Sequence, residues 1–167
     1  MYFANQLIRK GADSVILISA GIGRTSVRDW APDGRLNSML RYRLSDAKNN
    51  GLDITDFFWH QGETDNPYGK KGVSPEVYKQ KLVEIIKLTR EYFPKSNFYV
   101  ALASRCGAIP PSKELQSAQI YVTGRNNIFI GPNTDELDIN YRFDDCHFTG
   151  QGLIRHGDLW LQLFNFH

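Results

Sequence analysis

Ile54-Thr55-Asp56-Phe57-Phe58-Trp59-His60 is an apolar, aromatic-rich run of strand length, and the polar turn Gln61-Gly62-Glu63-Thr64-Asp65 ends it. Ser74-Pro75-Glu76 then supplies an N-cap, a proline in the first turn and an acid at the positive end of a helix. Tyr78, Leu82, Ile85, Ile86, Thr89 and Phe93 recur on one face with the helical period. Asn97-Phe98-Tyr99-Val100-Ala101-Leu102-Ala103 is a strand again. Strand, long helix, strand is the unit of a parallel sheet, because parallel neighbours need a crossover.

The same alternation extends in both directions. Residues 2 to 10 form an amphipathic helix stopped by Gly11, and Ser14-Val15-Ile16-Leu17-Ile18-Ser19 is a continuous apolar run expected as a strand covered on both faces. Residues 36 to 49 are helical and end at Asn49-Asn50-Gly51. Residues 112 to 122 form a further helix and Ile128-Phe129-Ile130 a short strand. The last helix starts after Thr149 and is expected to bury Leu153, Gly157, Trp160, Leu161 and Phe164. The pattern predicts one α/β domain over residues 1–167, three layers (α/β/α) around a parallel sheet. Chemistry in such sheets gathers at the carboxyl ends of the strands.

The 167 residues suffice for a real core, and the charged (23%) and hydrophobic (41%) fractions are those of an ordinary globular protein. A net charge of +2 with scattered Lys and Arg argues against nucleic acid or an acidic membrane surface as partner. No apolar run reaches membrane-spanning length, and the first residues lack the pattern of a leader peptide. Cys106 and Cys146 make neither a disulfide framework nor a zinc motif, so each is expected as an ordinary buried thiol.

Three loops carry unusual polar words. Phe143-Asp144-Asp145-Cys146-His147-Phe148-Thr149 places a carboxylate three residues before a histidine, close enough for the acid to accept the ring N–H and orient a general base. Trp59-His60-Gln61-Gly62-Glu63-Thr64-Asp65 ends a strand with an amide donor and a carboxylate. Ser19-Ala20-Gly21-Ile22-Gly23-Arg24-Thr25-Ser26 lets backbone N–H groups turn toward a ligand, and it lacks the Gly-Lys-Ser/Thr ending of a phosphate loop. Taken singly, each has a plainer reading: a polar turn, a glycine turn, an acid at a helix N-terminus.

Together the three words resemble the SGNH-hydrolase superfamily, in its sialate O-acetylesterase-like branch of carbohydrate esterases, which includes acetylxylan esterases. Gly21 to Trp30 is similar to the second block of that family, Trp59-His60-Gln61-Gly62-Glu63-x-Asp65 to the third, and Asp144-x-x-His147-Phe148 to the last. The resemblance implies a flavodoxin-like fold and metal-free serine hydrolysis of O-acetyl groups on sugars, with no cofactor. His147 would be the general base, Asp144 its orienting acid, and Glu63 an alternative or additional carboxylate partner. Gly23 and Gln61 would help hold the oxyanion, and Arg24 and Thr25 would line the site.

The family's first block, Gly-Asp/Gln-Ser at the end of the first strand, has no counterpart here. The expectation is a chain lacking that strand and its serine, inactive or nearly so as it stands, whose sheet a second copy could complete. Ser26 is the least implausible substitute nucleophile; Cys146 is a weaker one. Two other readings stand beside the esterase. One is a non-catalytic carbohydrate-binding or interaction module, with Trp30 and Trp59 available for stacking. The other is a metal hydrolase built on His60, Glu63, Asp144 and His147, whose spacing fits no common metal pattern.

Overall fold

The computed structural model describes residues 2–164. In chain order the elements are α1 (Tyr2–Arg9), α2 (Val27–Trp30), α3 (Asn37–Asn49), β1 (Asp56–Trp59), α4 (Pro75–Tyr92), β2 (Asn97–Leu102), α5 (Lys113–Tyr121), β3 (Ile128–Asn133) and α6 (Gly150–Leu163). The strands form one parallel sheet in the order β1-β2-β3, with Phe57 opposite Phe98 and Val100 opposite Ile130. Helices α4 and α5 are the crossovers. Ser74 caps α4 by accepting from the Val77 N–H, and Ser112 caps α5 by accepting from that of Leu115.

Strand periodicity sorts the side chains of β2 onto two faces. Phe98 and Val100 enter the larger core, with Leu44, Leu82, Ile85 and Leu115 from α3, α4 and α5. Tyr99 and Ala101 point the other way and meet Trp160 of α6, with Phe3 of α1 and Phe164 packed beside them. The α/β/α layering follows. On this second face Phe58 stacks on Tyr99 (5.3 Å between centroids, 10° between planes), and Trp160 meets Phe58 edge-on at 5.2 Å. Helix α1 lies against α6: Tyr2 Oη donates to Asp158 Oδ1 at 2.7 Å, and a Cβ on Gly157 would sit 2.7 Å from the Tyr2 ring.

Two expectations need correction. The run Ser14–Ser19 is not a strand; it forms no ladder, and Ile16, Leu17 and Ile18 are 66%, 53% and 40% exposed. An apolar pattern shows what needs covering but not whether a partner strand lies alongside, and β1, β2 and β3 pair only among themselves. A cleft of about 340 Å³ separates Ile16, Ile18 and Gly21-Ile22 from residues 53–61. In α6, Leu153 is 56% exposed, and Gly152 takes the inward place beside Tyr141 and Phe148. The helical period alone would group 153 with 157 and 160, so its exposure is set in the first turn, where Gly152 packs against Tyr141 and Phe148 instead.

Candidate active site

The glycine loop and the loop after β1 are pinned together by one carboxylate. Asp65, fully buried, accepts from Ser26 Oγ at 2.5 Å, from the Val27 N–H at 2.7 Å and from Gln61 Nε2 at 2.7 Å. Burial pushes its pKa up, and the bonds from Ser26, Val27 and Gln61 partly offset that. Gln61 Nε2 also donates to Thr25 O at 3.0 Å. Thr25 is buried, its hydroxyl donating to Ile22 O and accepting from Trp30 Nε1. Ser26 is the N-cap of α2, in a reciprocal capping box with Asp29. The glycine turn is therefore a rigid corner. Within it the Gly23 N–H has no intramolecular acceptor among the described residues.

The backbone of the β1 loop is fixed from below. Gln61 O accepts from Tyr78 Oη at 2.5 Å and from Gln119 Nε2 at 3.2 Å, while Ala103 O takes a bond from the same Gln119 amide. A Cβ on Gly62 would lie 1.9 Å from Ala103 O, so only glycine fits between the loop and the end of β2. Glu63 Oε2 accepts from the Gly62 N–H at 3.0 Å, and its Oε1 lies 3.5 Å from His60 Nε2. Gln61 Oε1 is buried without a donor.

The third loop brings the histidine. Asp144 Oδ1 accepts from the backbone N–H groups of His147 (2.6 Å) and Cys146 (3.1 Å), and Asp144 Oδ2 is 2.7 Å from His147 Nδ1. The His147 backbone bond, then its ring bond, hold the Asp144 carboxyl down at about 2, so it is ionised and Nδ1 must carry the proton. That tautomer leaves Nε2 with a free lone pair on a side chain 70% exposed. The pair has the geometry that a general base and its orienting acid require.

Phe148 joins this loop to the one after β1. Its ring stacks 6.1 Å from His60, lies 5.0 Å from His156, and takes the Arg142 guanidinium at 4.4 Å. Arg142, buried, donates to Leu137 O, Thr134 O and Cys146 O. His156 is held at about 3, mainly by burial and then by His60 and Arg142, and its neutral Nε2 accepts from Trp160 Nε1 at 2.9 Å.

The placement of the expected residues is thus mixed. Asp144 and His147 are hydrogen-bonded, and Gln61 and Thr25 are bonded to each other. Glu63 stands against the His60 ring, 3.5 Å from its Nε2. Arg24 lines a separate groove with Arg28, Thr64 and Lys71. Trp30 is a core residue, 5% exposed. Among the described residues no three His, Cys, Asp or Glu side chains converge as metal ligands.

The cysteines need correction too. Instead of separate thiols, Cys106 and Cys146 form a disulfide across 40 residues of sequence. Their spacing carried no such signal; the bond exists because the loop after β2 folds against the loop before α6. Asp65 stood in the third block without a role of its own, and Gln119, Asn66 and Asp135 were unread in the sequence. All are buried polar anchors of loops, and a single buried amide or acid in a sequence looks like any surface one.

Two solved structures are similar in fold. A protein from Arabidopsis thaliana superposes with a TM-score of 0.65 at 19% identity, covering 82% of this chain and 54% of its own. A peptidoglycan O-acetylesterase superposes at 0.58 with 16% identity, covering 83% of this chain and 42% of its own. This chain therefore spans about half the length of the solved chains it matches. No curated protein sequence matches it significantly. A family profile described as "Carbohydrate esterase, sialic acid-specific acetylesterase" matches residues 1–164. With its layered α/β sheet and this match over nearly its whole length, the chain belongs to the sialic acid-specific acetylesterase family of carbohydrate esterases.

Proposed function

We propose that this chain carries the acid–base and oxyanion parts of a carbohydrate O-acetylesterase that works through a serine acyl-enzyme, on an acetylated sugar. The observation that carries the reading is the Asp144–His147 pair, ionised acid on Nδ1 and free lone pair on Nε2. The attacking hydroxyl comes on an extended strand that occupies the cleft beside β1. Exposed Ile16 and Ile18 on one wall, the β1 edge on the other and the unsatisfied Gln61 Oε1 support that placement. Neither local candidate is free to attack: Ser26 Oγ donates to Asp65, and Cys146 has no thiol.

In the first half-reaction His147 Nε2 takes the hydroxyl proton as the serine oxygen attacks the acetyl carbonyl. The oxyanion gathers beside the unengaged Gly23 N–H. His147 then returns the proton to the departing sugar oxygen, leaving an acetyl-enzyme. Water, deprotonated by the same nitrogen, attacks the acetyl-enzyme, and His147 passes that proton to the serine oxygen as acetate leaves. The test is hydrolysis of an aryl acetate by the chain alone and by a version extended upstream with an apolar strand ending in Gly-x-Ser. Background rate for the short form and turnover for the long form, abolished by His147→Ala, is the expected result. Robust turnover by the short form that survives His147→Ala defeats the assignment.

A further inference from the structure

We propose that Cys106 and Cys146 are positioning residues: their disulfide holds the His147 loop in its Asp144-bound shape, and a dithiol reductant releases it. The catalytic consequence rests on the esterase reading; the mechanical one does not.

Inside the loop the ties are short-range. Phe143 N–H donates to His147 O at 3.0 Å, Asp144 takes the Cys146 and His147 N–H groups, and Phe143 stacks on the His147 ring at 5.7 Å. None of these fixes the loop to the body of the protein. Its tip is also poor in burial, since Phe143 is 70% exposed and the His147 side chain equally so. Asp145 adopts φ 61°, a left-handed conformation that a non-glycine residue keeps only where its surroundings enforce it.

Besides Arg142, which is bonded to Leu137 O and Thr134 O and holds Cys146 O from the base of the same loop, the ties that leave the tip go to the loop after β2. Gly107 N–H donates to Asp145 O at 3.2 Å, Arg105 Nη2 stands 3.9 Å from Asp145 Oδ1, and Cys106 is bonded to Cys146. An ion pair at that distance and one backbone bond are weak restraints on an exposed loop, whereas the S–S bond is covalent.

The receiving end is rigid. Asp135 accepts from the Ser104 N–H (2.9 Å), the Arg105 N–H (2.8 Å) and Ser104 Oγ (2.5 Å), at the buried end of β2. Asn66 Nδ2 donates to Ser104 O at 2.8 Å. A continuous path therefore runs from β2 through Ser104 and Arg105 to Cys106, across the bond to Cys146, and to the adjoining His147. Reduction by a dithiol breaks the S–S bond by two exchange steps. Cys106 and Cys146 each end as a thiol, and the reductant ends as its cyclic disulfide, two electrons and two protons having moved.

The experiment uses the chain as it is, by NMR. Without reductant no free thiol should titrate, and the His147 Nδ1 proton should give a resolved low-field resonance. The Asp144 carboxyl should titrate near 2. With a dithiol, the low-field resonance should vanish and the Asp144 titration should move up toward its ordinary 3.8, while the ring-shifted core methyls stay in place. Cys106→Ser should show the released state without reductant and respond no further to it; if that variant does not fold, reduction of the wild-type protein is the test. Two free thiols before reduction, an unmoved resonance and titration after it, or loss of the core signals together with the loop would each overturn the proposal. No readout needs turnover, so failure of aryl acetate hydrolysis by the extended form counts against the esterase reading alone.

Discussion

Replacing Asp65 tests whether two of the three loops are joined as described. In Asp65→Ala the Ser26 hydroxyl, the Val27 N–H and the Gln61 amide lose their acceptor together in a fully buried place. Leaving a buried donor unsatisfied costs about 1–3 kcal/mol, so with partial relaxation the loss should be about 3–5 kcal/mol. That is a large share of the roughly 5–15 kcal/mol that hold a domain together. Asp65→Asn should behave differently. Its oxygen can take the Oδ2 position and accept from Val27 and Gln61, and its NH2 can donate to a Ser26 hydroxyl turned to accept. It also removes a buried charge, so its cost should stay within about 1 kcal/mol.

The pH dependence separates the two effects. An acid whose folded pKa lies above its unfolded value binds protons more tightly when folded. Its contribution to stability therefore falls as pH rises from the ordinary 3.8 through the raised folded value, and Asp65→Asn should lack that decline. Urea unfolding followed by far-UV circular dichroism, at pH 7 and across the acid range, measures both. An alanine variant losing under about 1 kcal/mol, or an asparagine variant as damaged as alanine, would refute the reasoning.

Arg24 adopts φ 60°, a conformation that costs a residue with a Cβ about 1–2 kcal/mol, so Arg24→Gly should raise the urea midpoint by about 1 kcal/mol equivalent with an unchanged slope. Gly62→Ala would set a Cβ 1.9 Å from Ala103 O and 2.6 Å from Gln119 Nε2. Backbone cannot yield there cheaply, and the variant should lose at least about 3 kcal/mol or fail to accumulate as folded protein. His156, neutral in the fold down to about 3 against an ordinary 6.5, binds its proton more readily in the unfolded chain. Its contribution to stability should be complete above pH 6.5 and be lost as pH falls toward 3, by up to about 1.4 kcal/mol per pH unit. His156→Gln should flatten that slope in urea titrations at successive pH values.

Legibility followed the range of the interaction. Period 3.6 located α4 and its inward face, and caps located its start, because the residues that decide a helix lie within one or two turns of each other. Ser14–Ser19 failed for the opposite reason: its apolar content is local, but a strand exists only if a neighbour from elsewhere accepts its backbone. The Asp144–His147 pair was legible since three residues of chain bring acid and base together. Gln61 was expected as an oxyanion donor, yet its amide donates to Thr25 O and Asp65, partners 36 and 4 residues away.

By itself, then, the order of residues determined the helix–strand alternation, the layered class and the identity of the three polar loops. All of these rest on spacings short enough for the chain's own geometry to enforce. Only the tertiary structure decided that Asp65 joins two of those loops, that Phe148 and Arg142 seat the third, and that Cys106 meets Cys146. Such contacts join residues far apart in the chain, and packing around the sheet, not local preference, sets which of them meet.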